Sequence, residues 1–474
     1  MLINAKKTKI VATIGPVSEN EEMLLKMAMA GLNVARLNFS HGNHAEHLAR
    51  INLVRKISKK LGKPMAVLAD LSGPKIRIGE FKDGKIFLKK GAKFTLTVKD
   101  IMGDENKVFI NCKDLPDKIK NGDFIMLEDG SKKLKVEEVS GGEIICRVII
   151  GGELKSKKGV NLPGVSVDIS ALTSKDKKDL DFVLKNKVDF IALSFVRKAE
   201  DVEILKKIIK KNGSSAKIIA KIETKEAISN LDEIIDSAYG VMVARGDLGI
   251  ELPMEEVPLI QKRIIKKCNE KGKPVITATQ MLESMIKNPR PTRAEVSDIA
   301  NAVLDGTDAI MLSEETTLGA YPVEAIETMA SVCRHTEKFF PYEQVLKSIN
   351  DGINLSVVDS ISASACQTAY RLDAKLIVAF TNSGFTARMI SRWRPKQPVL
   401  ALTHDEKILN MMALGFGTFS KKINNIKNHD GMIDIAKKEA MKTGLVKKGD
   451  KIVISAGIPF GVSGTTNLIL VQVI

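Results

Sequence analysis

Aromatic side chains make up only 4% of the 474 residues, with a single tryptophan. That scarcity qualifies the net charge of +16, which would otherwise invite a nucleic-acid reading. The lysines sit mostly in helical stretches such as LKKIIKKNG and QKRIIKKCNEKG, and no basic block stands beside rings that would stack bases. No nucleic-acid partner is expected; a positive field would instead favour small anionic substrates. Cysteine is also sparse. Cys112, Cys146, Cys268, Cys333 and Cys366 are odd in number, scattered and without a CxxC pair, which excludes a disulfide framework or a zinc site from the expectation. No apolar run approaches the length of a membrane span, and MLINAKKTKIVATIG lacks the apolar core and cleavage site of a secretory signal. A cytoplasmic protein with no membrane partner is expected. Also missing are a G-x-x-x-x-G-K-[ST] phosphate loop, the protein-kinase motif set, and serine, histidine and aspartate at acyl-transfer spacings. Any phosphoryl chemistry must then rest on metal ions and cationic side chains.

What is present is ample core material, 44% hydrophobic over a length that suits about three domains. Apolar, β-branched runs at Lys9 to Ile14, Val34 to Phe39 and Met65 to Leu71 alternate with amphipathic stretches closed by Gly31 and Gly62. Short strand-like runs with glycine and asparagine turns then follow, among them KIFL, KFTLTV, FIML, KLKVEEV and EIICRVII, which predicts a small inserted β-domain over 75–169. Strand–helix alternation resumes with strands at Phe190 to Phe195, Lys217 to Glu223, Gly240 to Ala244, Pro274 to Thr279 and Ala309 to Ser313. Three units before the insertion and five after it predict an α/β fold, a TIM (β/α)8 barrel over 1–74 and 170–340, with an open doubly wound sheet as the alternative. From 341 to 474 a separate open α/β domain is expected, with strands KLIVAF, PVLALT, KIVISA and NLILVQVI.

In such a barrel the polar residues ending each strand converge at one face. Strand two ends in Arg36, Asn38 and Ser40, strand three in Asp70, and strand four in Ser194 with Arg197 beyond. Strands five and six supply Lys221, Glu223 and Asp247, strand seven Thr279 and strand eight Ser313. Two carboxylates suit a hard cation such as Mg2+, and the cationic side chains suit a phosphorylated acid. Alone, the KIE stretch around Lys221 reads equally well as an exposed ion-pair network. A short helix starting in RGDLG would aim free N–H groups at a substrate carboxylate. His41, His44 and His47 mimic a metal cluster by spacing, but His41 precedes the helix that the other two open, and no transition-metal site is expected.

The stretches RLNFSHG, SFVRKAEDV, KIET, MVARGDLGIELP, ATQMLESMIKNPRPTRAEVSDIANAVLDGTDAIML and SEET, in this order, resemble the pyruvate kinase family nearly from end to end. The resemblance implies a barrel, an inserted β-barrel-like lid and a C-terminal effector domain, in a homotetramer. It implies transfer of a phosphoryl group from phosphoenolpyruvate to ADP, giving pyruvate and ATP. Glu223 and Asp247 would hold Mg2+ or Mn2+, Lys221 would contact the phosphoryl group, and Arg36 would grip it with Arg77. Thr279 would touch the substrate near the protonation step, Gly246 and Asp247 would offer backbone donors to the carboxylate, and Ser194 and Ser313 would belong to the proton-delivery surroundings. Arg36, Asn38 and His41 would contact the nucleotide. Potassium-dependent members hold K+ at the equivalents of Asn38, Ser40, Asp70 and the Leu71 carbonyl, beside a glutamate. Here DLSGPKIRIG carries Lys75 at the glutamate's position, so the chain resembles the potassium-independent subgroup and K+ is not expected to be required. Leu318 stands where some members have lysine, which weakens a proton-donor role for that position. The loop Thr381, Asn382, Ser383, Gly384, Phe385, Thr386 is a candidate cradle for a phosphorylated effector; an ordinary turn into a capped helix is the other reading. Another phosphoenolpyruvate- or pyruvate-binding barrel enzyme and a non-catalytic effector-binding homologue are the alternatives.

Overall fold

The computed structural model describes residues 6–348 except 166, 168 and 169, then 356–459 except 425, 427 and 428, and finally 464–474. Eight parallel strands close a barrel: β1 (Lys9–Thr13), β2 (Val34–Asn38), β3 (Ala66–Asp70), β4 (Phe190–Leu193), β5 (Lys217–Ile222), β6 (Gly240–Ala244), β7 (Val275–Ala278) and β8 (Ala309–Leu312). Each is a short, mainly apolar run, buried along most of its length, as a sheet covered on one face by helices and filled on the other requires. The open doubly wound alternative is thereby excluded. Gly62 ends the helix His44–Leu61 in the left-handed conformation (φ 58°), where its missing Cβ removes the steric cost.

Between β3 and β4 the insertion forms a six-stranded sheet and a two-stranded ribbon around its own core, which includes Phe94, Leu96, Ile125 and Val136. The segment Lys107–Phe109, too short to carry a periodic signal, joins this sheet as an edge. The C-terminal sheet runs Thr418–Lys422, Val399–Thr403, Leu376–Phe380, Lys451–Gly457, Thr466–Val473, parallel except for the last strand. Its first strand, TFSKK, was not foreseen: an edge strand ending in exposed lysines has no apolar run to announce it.

The C-terminal domain seals the N-terminal end of the barrel. Asp308, just before β8, accepts from Arg394 (2.8 Å) and from the Phe416 amide (3.0 Å). Asp189, just before β4, faces Asn410 (3.2 Å), and the apolar barrel interior runs on into the core of the C-terminal sheet. The opposite end, where the strands' C-termini emerge, is left for chemistry. Among the described residues, no helix is long and apolar enough to cross a membrane.

Candidate active site

Parallel register sets the site. Asn38 pairs with Asp70, Asp70 with Ala192, Leu193 with Ala220, and Lys221 with Met242, so side chains from consecutive strand ends meet over the barrel mouth. At their centre lies Asp70, buried, with Arg36 Nε at 2.7 Å from one carboxylate oxygen and Lys221 Nζ at 3.3 Å from the other. Lys221 also reaches Glu223 Oε1 at 2.9 Å and donates to Ser194 Oγ at 2.8 Å. Burial works against the Lys221 charge, but Asp70 and Glu223 outweigh it and raise the lysine's pKa, so the ammonium is held charged. For Asp70, burial is overcome by Lys221 and Arg36, which keep its carboxyl below the usual range.

Glu223 is completely buried. Its Oε2 accepts from the Phe195 amide (2.6 Å), while Oε1 has no aligned hydrogen-bond donor and only the Lys221 ammonium beside it. Burial, reinforced by the Asp247 charge and opposed by Lys221, lifts the Glu223 carboxyl above its ordinary range. A buried carboxylate oxygen without a donor, next to a second carboxylate, is what a hard divalent cation would satisfy. Among the described residues no group of three or more His, Cys, Asp or Glu is arranged to hold a metal ion, so such an ion would draw its remaining oxygen ligands from substrate and water.

Across the mouth, Thr279 follows β7 with φ 71°, an unusual conformation for a β-branched residue, and Phe195 after β4 has φ 53°. Such residues cost about 1–3 kcal/mol each and cluster at functional sites. The Thr279 hydroxyl accepts from the Gly246 amide (2.9 Å), at the start of the helix Arg245–Glu251 that carries Asp247. Ser313 follows β8, its amide donating to the buried Glu315 carboxylate at 2.7 Å.

Other residues named from sequence lie apart from this centre. Asn38 Oδ1 accepts from the Ser40 amide (3.1 Å) at the rim, where Ser40 and His41 are exposed. The Leu71 carbonyl takes the Ser194 hydroxyl at 2.8 Å. Arg77 sits on the inserted domain, exposed, donating to the Lys157 carbonyl (3.0 Å) rather than joining Arg36. Lys75 also turns toward that domain: its stem crosses the bare Cα of Gly159, where a Cβ would lie 2.6 Å from Lys75 Cε, and its ammonium is 3.5 Å from Asp129. His44 stacks on Phe182 and faces Asp179 (2.7 Å), while His47 stacks on Phe39 and bonds the His41 carbonyl (2.9 Å). In the C-terminal domain, Gly384 takes φ 80° at the start of the helix Phe385–Ser391. Ser383 is exposed, whereas the Thr386 hydroxyl is buried against that of Thr466 at 2.8 Å.

One contributor escaped the sequence reading. Thr13, the last residue of β1, accepts from Arg36 Nη1 (2.8 Å) and donates to the Leu312 carbonyl (3.0 Å), fixing the arginine's second arm. Extending the strand-end rule to the first strand would have found it.

Residues 5–326 match the family described as pyruvate kinase, barrel domain, and residues 359–472 the pyruvate kinase alpha/beta domain. The chain is 47% identical over 471 residues to the pyruvate kinase of Clostridium acetobutylicum, covering 99% of this chain and 100% of that protein. It is likewise 47% identical to the pyruvate kinase of Geobacillus stearothermophilus, covering 99% of this chain and 80% of that one. Its structure is similar to the crystal structure of a pyruvate kinase from Cryptosporidium parvum, with a TM-score of 0.94 at 38% identity, over 99% of this chain and 96% of the other.

Proposed function

The chain belongs to the pyruvate kinase family, and on that premise we propose which residues perform each part of the reaction. The enzyme is a phosphotransferase of that family, acting on phosphoenolpyruvate and ADP, and other pyruvate-binding barrel families are excluded by the match. Lys221 and Arg36 face the transferring phosphoryl group, whose loose transition state needs charge neutralisation and alignment more than covalent chemistry. The observation that carries this reading is the buried Lys221 ammonium, held charged between Asp70 and Glu223 at 3.3 and 2.9 Å. Glu223 and Asp247 would hold Mg2+ or Mn2+, which would supply positive charge to offset the negative charge that develops during transfer. The Asp247 amide would receive the substrate carboxylate with the Thr279 hydroxyl alongside, and the Gly246 amide would join it on giving up its bond to that hydroxyl (2.9 Å). Thr279 would touch the substrate near the protonation step, and Ser194 and Ser313 would belong to the proton-delivery surroundings. Arg36, Asn38 and His41 meet the nucleotide, and Arg77 arrives with the inserted domain as it closes and excludes water.

K+ is not required in this reading. Three groups that would ligate it already take protein donors: Asn38 Oδ1 from the Ser40 amide, the Asp70 carboxylate from Arg36, and the Leu71 carbonyl from Ser194. The catalytic barrel spans 1–74 and 170–340, the lid 75–169 and the effector domain 341–474, in a cytoplasmic homotetramer. A phosphorylated effector would bind at Ser383 and the backbone amides of the loop 381–386, because the Thr386 hydroxyl is engaged by Thr466.

The test is a lactate-dehydrogenase-coupled assay with phosphoenolpyruvate, ADP and Mg2+ on the wild type and on Lys221→Met. Wild-type turnover, reduced about a hundred- to thousandfold in the variant, is expected for loss of one preorganised charge. Absence of wild-type turnover would overturn the reading. For the loop, titration with AMP and phosphorylated sugars should activate the wild type but not Ser383→Ala; equal activation of both would mean that the loop is only a turn.

A further inference from the structure

The backbone after β7 is held by a side chain that no part of the proposed chemistry uses. Thr279 and Gln280 both have positive φ, 71° and 53°, so this turn needs outside support to persist. Arg245 supplies it. Its Nε donates to the Ala278 carbonyl (3.2 Å) and its Nη2 to the Thr279 carbonyl (2.6 Å), so one guanidinium spans two successive peptides. The third nitrogen, Nη1, is fixed by Asp298 Oδ1 at 2.7 Å, with Gln261 Oε1 at 3.4 Å. The Arg245 side chain is 13% exposed and that of Asp298 32%. On the other side of the same threonine, the Gly246 amide donates to its hydroxyl (2.9 Å), which itself donates to the Ala278 carbonyl (2.6 Å). Two adjacent residues, one by side chain and one by main chain, therefore clamp Thr279.

We propose that Arg245, oriented by Asp298, is a positioning residue for Thr279: it locks the left-handed turn that aims the threonine hydroxyl into the active site. This rests on the reading that Thr279 serves the substrate at the protonation step. A planar fork is essential to the device, because a lysine ammonium in the same place cannot hold both carbonyls and the carboxylate in one plane. Asp298→Asn keeps an acceptor for Nη1 but removes the charge that orients the arginine.

Kinetic, exchange and structural readouts test the clamp. In the coupled assay, Arg245→Lys should lower kcat at least tenfold with KM for phosphoenolpyruvate changed less than threefold, Asp298→Asn should fall in between, and melting should shift little. Exchange of the pyruvate methyl protons in deuterated water, followed by NMR, should fall in parallel. In a Thr279→Ala background the same Arg245→Lys change should cost less than twofold, because its target is gone. A tenfold loss that persists in that background, or full activity of Arg245→Lys, would overturn the proposal. A crystal structure of Arg245→Lys separates the clamp from the assignment of function: relaxation of Thr279 to negative φ supports the clamp whatever the enzyme turns over, and an unchanged turn defeats it.

Discussion

Asp70 shows how a single residue ties folding to chemistry. It sits with Arg36 on one oxygen and Lys221 on the other, and both cations are largely withdrawn from solvent. The pairing itself gives little net stability against apolar packing, but removing one member strands the others. Asp70→Asn should therefore destabilise the barrel by about 3–5 kcal/mol in denaturant unfolding. Breaking the exposed Lys26–Glu22 pair, which water screens, should cost far less. Because the Asp70 carboxyl is held below its ordinary range, its contribution is complete above about pH 4 and is lost as pH falls through the lowered value. Comparing the acid limb of the wild-type stability curve with that of Asp70→Asn checks the sign. At this scale most of the site was legible, because a barrel strand of five or so residues leaves few positions at its C-terminal end. What sequence could not convey was pairing: that Ser194 serves the Leu71 carbonyl, or that Phe195 turns its amide onto Glu223, depends on φ values that no pattern of residue types encodes.

Elements were legible in proportion to their burial. The eight barrel strands lie within a residue or two of the apolar runs, whereas the exposed edge strand Thr418–Lys422 did not announce itself. The same edge meets β1 where the barrel floor joins the C-terminal sheet, and there Lys6 and Lys9 are buried and Lys63 is half-buried. Lys9 donates to the Thr418 carbonyl (2.6 Å) over the Phe419 ring, Lys6 to Asn33 (2.6 Å), and Lys63 to the Ala28 and Leu32 carbonyls (2.9 Å each). Burial, with mutual repulsion, lowers Lys6 to about 7 and Lys9 well below its ordinary value; burial lowers Lys63 to about 8. A lysine whose folded pKa is depressed binds fewer protons than in the unfolded chain between the two values, so stability rises with pH across that window. Lys6→Met should thus be more stable than wild type near pH 7. Its advantage should shrink by up to about 1.4 kcal/mol per pH unit toward pH 10. Chemical denaturation at pH 7, 8, 9 and 10 measures this; a constant difference would mean that Lys6 does not change its charge on folding.

The molecule as a whole is a barrel sealed at its floor and joined at its mouth to the inserted domain. Arg394, buried at the floor, binds Asp308 and the Gly306 carbonyl, while the lid is attached through the two chain segments flanking the insertion. Of the lid contacts, Lys75 to Asp129 is the one that bears on the ion requirement. It is long, 3.5 Å, and its partners are 31% and 69% exposed, so breaking it costs less than about 1 kcal/mol. A swing of the Lys75 side chain from Asp129 toward Asp70 would then bring an ammonium to the pocket formed by Asn38, Ser40 and Asp70, where the proposed reading requires no K+. In buffer free of Na+ and K+, the wild type should turn over at nearly its full rate, and added K+ should change kcat less than twofold. Lys75→Glu replaces that fixed charge with a carboxylate, and a vacant, more negative pocket should admit a monovalent cation. The variant should be slow without K+ and recover with it, with saturation in K+ and little response to tetramethylammonium at the same ionic strength. Strong stimulation of the wild type by K+ would mean that the lysine never leaves Asp129 for the pocket, and that the sequence departure at position 75 serves lid docking instead.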